Sequence, residues 1–349
     1  MTEKMSFGKI PQSVEEEQIT VSIPLSTWQL FQAVSVHPVG EASECYLDQM
    51  KASMAAGNEK FPLPDVFKNL GNKRGSVRMG SLEDSVFYPG TSRKYWVYLP
   101  ADTDPEEKLN LVLILDANFF MYDSETGKLL EDPGLLRMFD NLIAEKKIPP
   151  TAVLLAEYGT PGPGQPVNGY SEGRVNRSVE YDTTSDRHAR FLTEELMPAA
   201  LDGCTISPDP KDHIICGFSS SGVAAFCAAW FRPEVFGNVF HGSGSFVNIR
   251  NGIVWPSVIR ISPRKPIRVF GTAGKHDLDN IFGSWLTANT DVACALHYAD
   301  YENLFYITEA GHSLPVFYRT LPEGIAWLFG GKEPEFEYMK KIDFAEVIR

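Results

Sequence analysis

The sequence contains few cysteines and few basic residues, and it has no long apolar run. Its five cysteines are odd in number and scattered over 349 residues without a C-x-x-C pair. This spacing excludes a disulfide framework and a zinc site of paired thiols. Lys and Arg number 32 against 45 Asp and Glu, which gives a net charge of −13. Because no basic cluster occurs, neither nucleic-acid binding nor attachment to an anionic membrane is expected.

Two further absences concern location. No uncharged apolar run reaches the roughly 18 residues of a transmembrane helix, so no membrane span is predicted. The N-terminal stretch lacks a basic segment followed by an apolar one, so no secretory signal is predicted either. Together with the dispersed cysteines, these patterns predict a reduced, cytoplasmic protein.

The chain is rich in apolar and aromatic residues. Hydrophobic residues make up 43% of it, with 22 Phe, 13 Tyr and 6 Trp, which is enough to bury a full core. The length allows one large domain or two small ones.

From residue 76 onward, apolar strands alternate with helical patterns. Strands are predicted over 94–99, 109–116, 151–156, 213–216, 238–241, 267–270 and 304–308, and helices over 134–147, 186–200, 222–230, 286–299 and 315–329. Strands separated by helices need crossover connections, so the sheet is expected to be mostly parallel and covered on both faces. Asp186 is placed to cap its helix, and Pro322 is expected to break or kink the last one.

Residues 1–75 have a different pattern. A short strand is predicted over 19–24 and helices over 27–36 and 42–56, with polar, turn-rich stretches at 57–60 and 71–75. We therefore predict an N-terminal extension (residues 1–75) that packs on the rest or mediates a homodimer. An α/β domain is predicted over 76–335, and a C-terminal tail over 336–349.

A glycine- and proline-rich stretch, residues 157–184, interrupts the alternation. Long loops of this kind in a compact domain are commonly functional. The stretch follows the carboxyl end of a buried strand, where open parallel sheets bind ligands. It is therefore predicted to be a loop that forms one wall of a substrate pocket.

The segment HIICGFSSSGVAAF (213–226) places an apolar strand, a tight turn of small residues and a helix start in that order. This is the context of a G-x-S-x-G nucleophile elbow, in which a serine sits on a strained turn above the sheet. Ser219 is the candidate nucleophile, with Gly217 two residues before it. Ser221 stands where the motif has glycine, and Gly222 follows. A strand–turn–helix connection without chemistry has the same local pattern.

A serine nucleophile needs a histidine base and an acid, which follow it in the order Ser, Asp/Glu, His in hydrolases with this elbow. His312 follows an apolar strand and precedes the last helix, where the base is expected. Asp277 and Asp279 both lie in the loop after the strand at 267–270, and Asp277 lies nearer to that strand. Three residues in this order at three strand ends predict a Ser219–His312–Asp277 triad.

The triad also requires two backbone donors for an oxyanion. One is the amide of Ser220, directly after the nucleophile. The other is expected in the loop after an earlier strand, from Asn118 or Phe119. No metal and no organic cofactor are implied.

With these residues in place, the chain resembles the esterase family that includes enterochelin esterases, esterase D, feruloyl esterases and the antigen 85 mycolyltransferases. The resemblance covers about residues 76–330. It rests on the elbow and on the stretches NLIAEKKIPP (141–150), NRSVEYD (176–182), FLTEELMP (191–198), DLDN (277–280) and GHS (311–313). It implies an α/β-hydrolase fold, a mostly parallel central sheet flanked by helices. It also implies nucleophile, acid and base roles for Ser219, Asp277 and His312.

The same resemblance places an Arg-x-x-Glu motif on Arg177 and Glu180. These residues are predicted either to anchor the pocket loop and contact substrate or to form an ion pair that holds the loop. Aromatic residues near the expected pocket suit an aromatic or sugar-containing ester, and equally suit a packed loop. They are Phe119, Phe120, Tyr158, Tyr170 and Tyr181.

The function predicted from these patterns is a serine carboxylic-ester hydrolase that forms an acyl-enzyme on a small or medium ester, such as a siderophore, aromatic or sugar ester. The expected partner is that small-molecule substrate. An acyltransferase of the same fold and a catalytically silent binding protein are the alternatives.

Overall fold

A mostly parallel sheet of ten strands forms the centre of the described chain. In the computed structural model, the described residues are 2–6, 20–24, 41–83, 85–104, 106–161 and 170–347. The chain divides into two compact units, Met1–Met50 and Lys51–Arg349. The first unit contains β1 (Thr2–Ser6) and β2 (Thr20–Pro24), which pair antiparallel. The predicted helix over 27–36 lies outside the described residues.

The second unit holds the large sheet, in the order β14-β13-β10-β9-β8-β5-β6-β4-β3, with β7 paired to β4. The strands are β3 (Ser76–Leu82), β4 (Thr91–Leu99), β5 (Asn110–Leu115), β6 (Thr151–Ala156), β7 (Thr160–Pro161), β8 (His213–Phe218), β9 (Asn238–Gly242), β10 (Arg268–His276), β13 (Asn303–Gly311) and β14 (Met339–Lys341). A small antiparallel pair, β11 (Asp279–Asn280) and β12 (Gly283–Ser284), follows β10.

The described residues contain eleven α-helices. They are α1 (Glu41–Ala55), α2 (Asn118–Met121), α3 (Gly134–Ala144), α4 (Tyr170–Tyr181), α5 (Arg187–Arg190), α6 (Met197–Ala200), α7 (Ser220–Phe231), α8 (Trp255–Ile261), α9 (Trp285–Tyr298), α10 (Leu314–Leu328) and α11 (Phe344–Val347). A π-helical stretch, Phe191–Leu196, joins α5 to α6. In the described part of the chain, no helix combines the length and apolarity that a membrane crossing requires.

The central strands are buried on both faces, as their apolar runs predict. In β5, Leu111, Leu113 and Leu115 pack into one hydrophobic cluster, whereas Val112 and Ile114 pack into another. Successive side chains of a strand point to opposite faces, so the two clusters are the cores above and below the sheet. The predicted α/β class with helices on both faces is confirmed.

The predicted loop over 157–184 is wrong at its end, because α4 occupies Tyr170–Tyr181. The glycines and prolines that predict a loop lie before this helix, and residues 162–169 lie outside the described ranges. The helix end carries Tyr181 into the core, where it is 1% exposed. Burial of this side chain outweighs the local preference of the preceding glycines and prolines for a loop.

Two predicted features of helix ends and interiors also differ. Asp186 precedes α5, but its side chain makes no capping hydrogen bond. Pro322 is buried inside α10, and the helix runs through it without a break. Because Phe317, Leu321 and Ile325 anchor the same helix in the core, packing outweighs the backbone hydrogen bond that proline removes.

The segments predicted as extension and tail both contribute to the second unit. That unit begins at Lys51, and the backbone N–H of Gly311 donates to Ala56 O at 2.9 Å. At the other terminus, β14 pairs antiparallel with β13 and forms one edge of the sheet.

Candidate active site

Ser219 sits on a strained turn between β8 and α7. Its backbone has φ 60° and ψ −122°, a conformation that non-glycine residues adopt at a cost of about 1–3 kcal/mol and mainly at functional sites. A Cβ at Gly217 would lie 2.0 Å from the backbone oxygen of Ser221. The turn therefore requires a glycine two residues before the serine, as the elbow motif does.

Ser221, the departure from the motif, is fully buried and closes this turn. Its hydroxyl donates to the Phe218 carbonyl at 2.7 Å and accepts from the Phe218 N–H at 2.9 Å. The hydroxyl thus satisfies two backbone groups that the sharp turn would leave unpaired. Serine fits here because its side chain is short and because it bonds to the strand end directly before the candidate nucleophile.

The three residues predicted to form a triad meet at the carboxyl edge of the sheet. The Ser219 Oγ lies 2.9 Å from His312 Nε2, and His312 Nδ1 lies 2.7 Å from Asp277 Oδ1. His312 follows β13 and Asp277 follows β10, while Ser219 follows β8. Asp279, the alternative acid, lies in β11 and is exposed. The geometry therefore favours Asp277 over Asp279.

The Asp277 carboxylate is sealed from solvent but well bonded. Its side chain is 0% exposed, and its Oδ1 accepts from the Leu278 N–H at 2.8 Å. Burial raises the pKa of Asp277. The neighbouring His312 and the Ser243 side chain together lower it by more than burial raises it, so the pKa lies below its ordinary value. A carboxylate held ionised in this way can orient the imidazole and stabilise its protonated form.

Two serines after β9, Ser243 and Ser245, lie beside the triad residues. They are not among the residues predicted from the sequence. The Ser243 side chain helps to lower the pKa of Asp277. Ser245 Oγ lies 3.4 Å from Ser219 Oγ and accepts from Trp285 Nε1 at 3.3 Å. The signal that could have found them is the run Gly-Ser-Gly-Ser at 242–245, which directly follows a buried strand.

The two amides predicted to bind an oxyanion lie at helix starts. Ser220 is the first residue of α7 and Asn118 the first residue of α2, and N–H groups at such positions have no intrahelical acceptor. Because β5 and β8 are adjacent and parallel, both helix starts lie at the same edge of the sheet. The Phe119 N–H donates to Asp116 O at 3.0 Å. Because the Phe119 N–H already has an acceptor, Asn118 is the better candidate for the second oxyanion donor.

A family model described as "Putative esterase" matches residues 88–327, which is more than half of the chain. The chain belongs to this esterase family. The resemblance noted from the sequence is therefore confirmed, and membership of this family supports esterase chemistry. No match is found among the curated proteins.

Solved structures of esterases share the fold of this family member. The enterobactin esterase from Shigella flexneri, in the presence of 2,3-Di-hydroxy-N-benzoyl-glycine, matches with 16% identity and a TM-score of 0.56, over 79% of this chain and 62% of that one. The ferulic acid esterase from Anaeromyces mucronatus, in complex with ferulic acid, matches with 20% identity and a TM-score of 0.57, over 76% and 96%. The chain thus spans about three fifths of the length of the enterobactin esterase.

Within this esterase-family chain, Arg177 and Glu180 pair with different partners. Arg177 bonds to both oxygens of Asp116, at 2.9 and 2.6 Å. Burial lowers the pKa of the Arg177 guanidinium, but the Asp116 carboxylate more than reverses this and raises it above its ordinary value. Glu180 accepts from Arg93 at 2.6 and 3.1 Å, and from the Gly159 N–H at 3.1 Å.

The aromatic residues named for the pocket separate into exposed and buried ones. The Phe119 side chain is 49% exposed, one residue after Asn118. Phe120 is buried and stacks on Tyr318, with ring centroids 5.8 Å apart. Tyr181 is buried in the core, Tyr158 is half-buried, and the side chain of Tyr170 lies outside the described residues. Phe119 is therefore the most exposed of these aromatic side chains among the described ones.

Proposed function

We propose that the protein hydrolyses carboxylic esters through an acyl-enzyme on Ser219. The observation that carries this proposal is the continuous hydrogen-bond chain from Ser219 Oγ through both ring nitrogens of His312 to Asp277. A nucleophile within bonding distance of a base, which a buried acid orients in turn, is the arrangement that activates a serine hydroxyl.

In the first half of the reaction, His312 Nε2 takes the proton of Ser219 Oγ as this oxygen attacks the ester carbonyl carbon. The negative charge then moves to the carbonyl oxygen, where the amides of Ser220 and Asn118 donate to it. Each such donor contributes about 3–4 kcal/mol of transition-state stabilisation in comparable enzymes. The protonated His312 gives its proton to the leaving alcohol, and the acyl group stays on Ser219.

In the second half, water replaces Ser219 as the nucleophile, and Ser219 becomes the leaving group. A water molecule gives a proton to His312 Nε2 while its oxygen attacks the acyl carbonyl carbon. Collapse of the new tetrahedral intermediate breaks the bond to Ser219 Oγ, which recovers its proton from His312, and the carboxylic acid leaves. The ionised Asp277 stabilises the imidazolium that forms in both halves.

Phe119 supports an ester that carries an aromatic ring. Its half-exposed side chain lies one residue from Asn118, and an aromatic face at such a site binds rings with offset or edge contacts. Two of the solved neighbours were determined with aromatic compounds, a dihydroxybenzoyl glycine and ferulic acid. We propose aromatic acyl esters as the substrate class.

The test is a panel of p-nitrophenyl and methyl esters with aliphatic or aromatic acyl groups, assayed with the wild-type chain and with Ser219→Ala. We expect hydrolysis by the wild type, a preference for aromatic acyl groups, and loss of turnover in Ser219→Ala with unchanged circular dichroism. Activity retained in Ser219→Ala rejects the nucleophile. Ester formation exceeding hydrolysis when an alcohol is added would identify a transferase instead.

A further inference from the structure

Ser53, in the last turn of α1, connects the two loops that carry Asp277 and His312. Its side chain is buried, with a relative exposure of 7%. The Ser53 hydroxyl donates to the His276 carbonyl at 2.7 Å, directly before Asp277. The same oxygen accepts from the backbone N–H of His312 at 2.9 Å. One hydroxyl thus joins the acid loop to the base loop.

Neighbours of Ser53 hold the base loop from both sides of His312. The Ala56 carbonyl accepts from the Gly311 N–H at 2.9 Å, and the Ser313 hydroxyl donates to Asn58 Oδ1. A Cβ at Gly311 would lie 2.0 Å from the Ser53 carbonyl oxygen. This close approach therefore needs glycine at 311. The backbone of residues 53–58 packs directly against the loop that carries His312.

We infer that Ser53 is a positioning residue for the esterase reaction, an inference that rests on the proposed function. The distances from His312 to Asp277 and to Ser219 depend on where the two loops stand relative to each other. β10 and β13 pair in parallel, but with a register shift between Gly274 and His276. The Ser53 hydroxyl adds one bond to each strand end at this irregular pairing, because its donor and its acceptor are used on different loops. Misplacement of a catalytic group by about 1 Å can lower the rate roughly a hundredfold.

Removal of this hydroxyl leaves two backbone groups without their partner, the buried N–H of His312 and the carbonyl of His276. The loops then keep the β10–β13 pairing and the bond between Asp277 and His312 but lose this bridge, and the imidazole samples positions outside bonding distance of Ser219. Since Ser53 bonds to the backbone of the loops, binding of the ester is expected to be spared. The effect should therefore appear in kcat rather than in KM.

The test compares Ser53→Ala with a matched control in the full-length chain. Ser207 is also a buried serine whose hydroxyl bridges two groups, donating to Asp212 and accepting from the Asp209 N–H. It lies before the amino end of β8, at the opposite edge of the sheet from Ser219. Ser207→Ala thus reproduces the loss of a buried hydroxyl without touching the loops of the site.

With p-nitrophenyl acetate, we expect Ser53→Ala to lower kcat about tenfold or more and to change KM less than about twofold. The rate at which a fluorophosphonate labels Ser219 should fall by the same factor. Ser207→Ala should lose thermal stability but keep its kcat. If Ser53→Ala does not fold, Ser53→Cys replaces it, because a thiol of similar size makes weaker hydrogen bonds.

A kcat for Ser53→Ala or Ser53→Cys within twofold of wild type overturns the inference, as does an equal loss of kcat in Ser207→Ala. An inactive wild-type chain that the fluorophosphonate leaves unlabelled overturns the proposed function, and the inference with it. An active wild type with unaffected Ser53 variants overturns the inference alone.

Discussion

The side chain of Ser221 hydrogen-bonds to both backbone groups of Phe218, at 2.7 and 2.9 Å, and closes the turn that carries Ser219. The esterase motif has glycine at this position. Serine here is therefore a structural replacement that adds two buried hydrogen bonds, and it leaves the site geometry intact.

This relationship predicts that restoring the motif destabilises the protein. Ser221→Gly and Ser221→Ala both leave the Phe218 N–H and carbonyl unpaired, so the free energy of unfolding should fall by about 1–3 kcal/mol. Urea denaturation measures the loss, with Ser257→Ala on the exposed side of α8 as the control. A stability of Ser221→Gly equal to wild type contradicts the structural role of the hydroxyl.

The acid of the site is testable with two neighbouring residues. Asp277→Asn removes the charge that faces His312 and should lower kcat by about 10³–10⁴. Asp279→Asn changes an exposed carboxyl in β11 and should leave kcat within about twofold. Steady-state kinetics on one ester decides between them, and an inverse result assigns the role to Asp279.

The buried pair of Arg93 and Glu180 predicts a large asymmetry between single and double variants. Both side chains are nearly inaccessible, at 0% and 2% exposure. Arg93→Met leaves the Glu180 carboxylate buried without its partner and should cost about 3–5 kcal/mol. The double variant Arg93→Met/Glu180→Leu should recover much of this loss, since neither charge of this pair then remains buried.

A matched control for this pair is the exposed ion pair of Lys73 and Asp102, with 74% and 68% exposure. Lys73→Met should change the free energy of unfolding by less than about 1 kcal/mol. Urea denaturation of all three variants measures the differences. Equal losses in Arg93→Met and Lys73→Met would show that burial of the pair has no energetic consequence.

The buried histidines predict how stability depends on pH. Burial lowers the pKa of His188 to about 3, with Arg93 acting in the same direction, and burial lowers the pKa of His241 to about 3. The unfolded chain therefore binds more protons than the folded one as pH falls below about 6.5, so stability is lost in that range. Burial raises the pKa of Asp182 to about 6, and this carboxyl partly offsets the loss.

His188→Gln isolates one of these contributions. Between pH 7 and pH 5, the wild type should lose about 2 kcal/mol more stability than the variant, because only the wild type keeps this histidine. Asp182 and His241 are common to both chains and cancel in the comparison. A difference between the two proteins that stays constant over this pH range contradicts the burial of a neutral His188.

Much of the site could be predicted because parallel strands end at one edge of the sheet. Ser219, Asp277 and His312 each follow an apolar strand that the sequence makes visible, and the turn around Ser219 has its own local pattern. The choice between Asp277 and Asp279 could not be made in this way. The two residues lie in one loop and differ in the direction of their side chains, which the sequence does not encode. The structure makes the choice, because the Asp277 carboxylate lies 2.7 Å from His312 Nδ1.

Other contacts leave no local signal. Ser53 and His312 are 259 positions apart in the chain, and a single serine near the end of a helix has no pattern that predicts its partners. Arg177 and Glu180 are three residues apart, so the sequence favours treating them as one unit. Their actual partners are Asp116, directly after β5, and Arg93, in β4, and only tertiary packing brings them together.

The proposed reaction passes through a covalent intermediate at Ser219, which mass spectrometry detects most directly. The wild-type chain is mixed with excess p-nitrophenyl acetate, quenched in acid within the first turnovers, and examined intact and after proteolysis. We predict one added acetyl group, located on the peptide that contains Ser219 and absent from Ser219→Ala. Turnover of the ester with the acetyl group on another residue, or with no covalent adduct on the wild-type chain at any quench time, would contradict it.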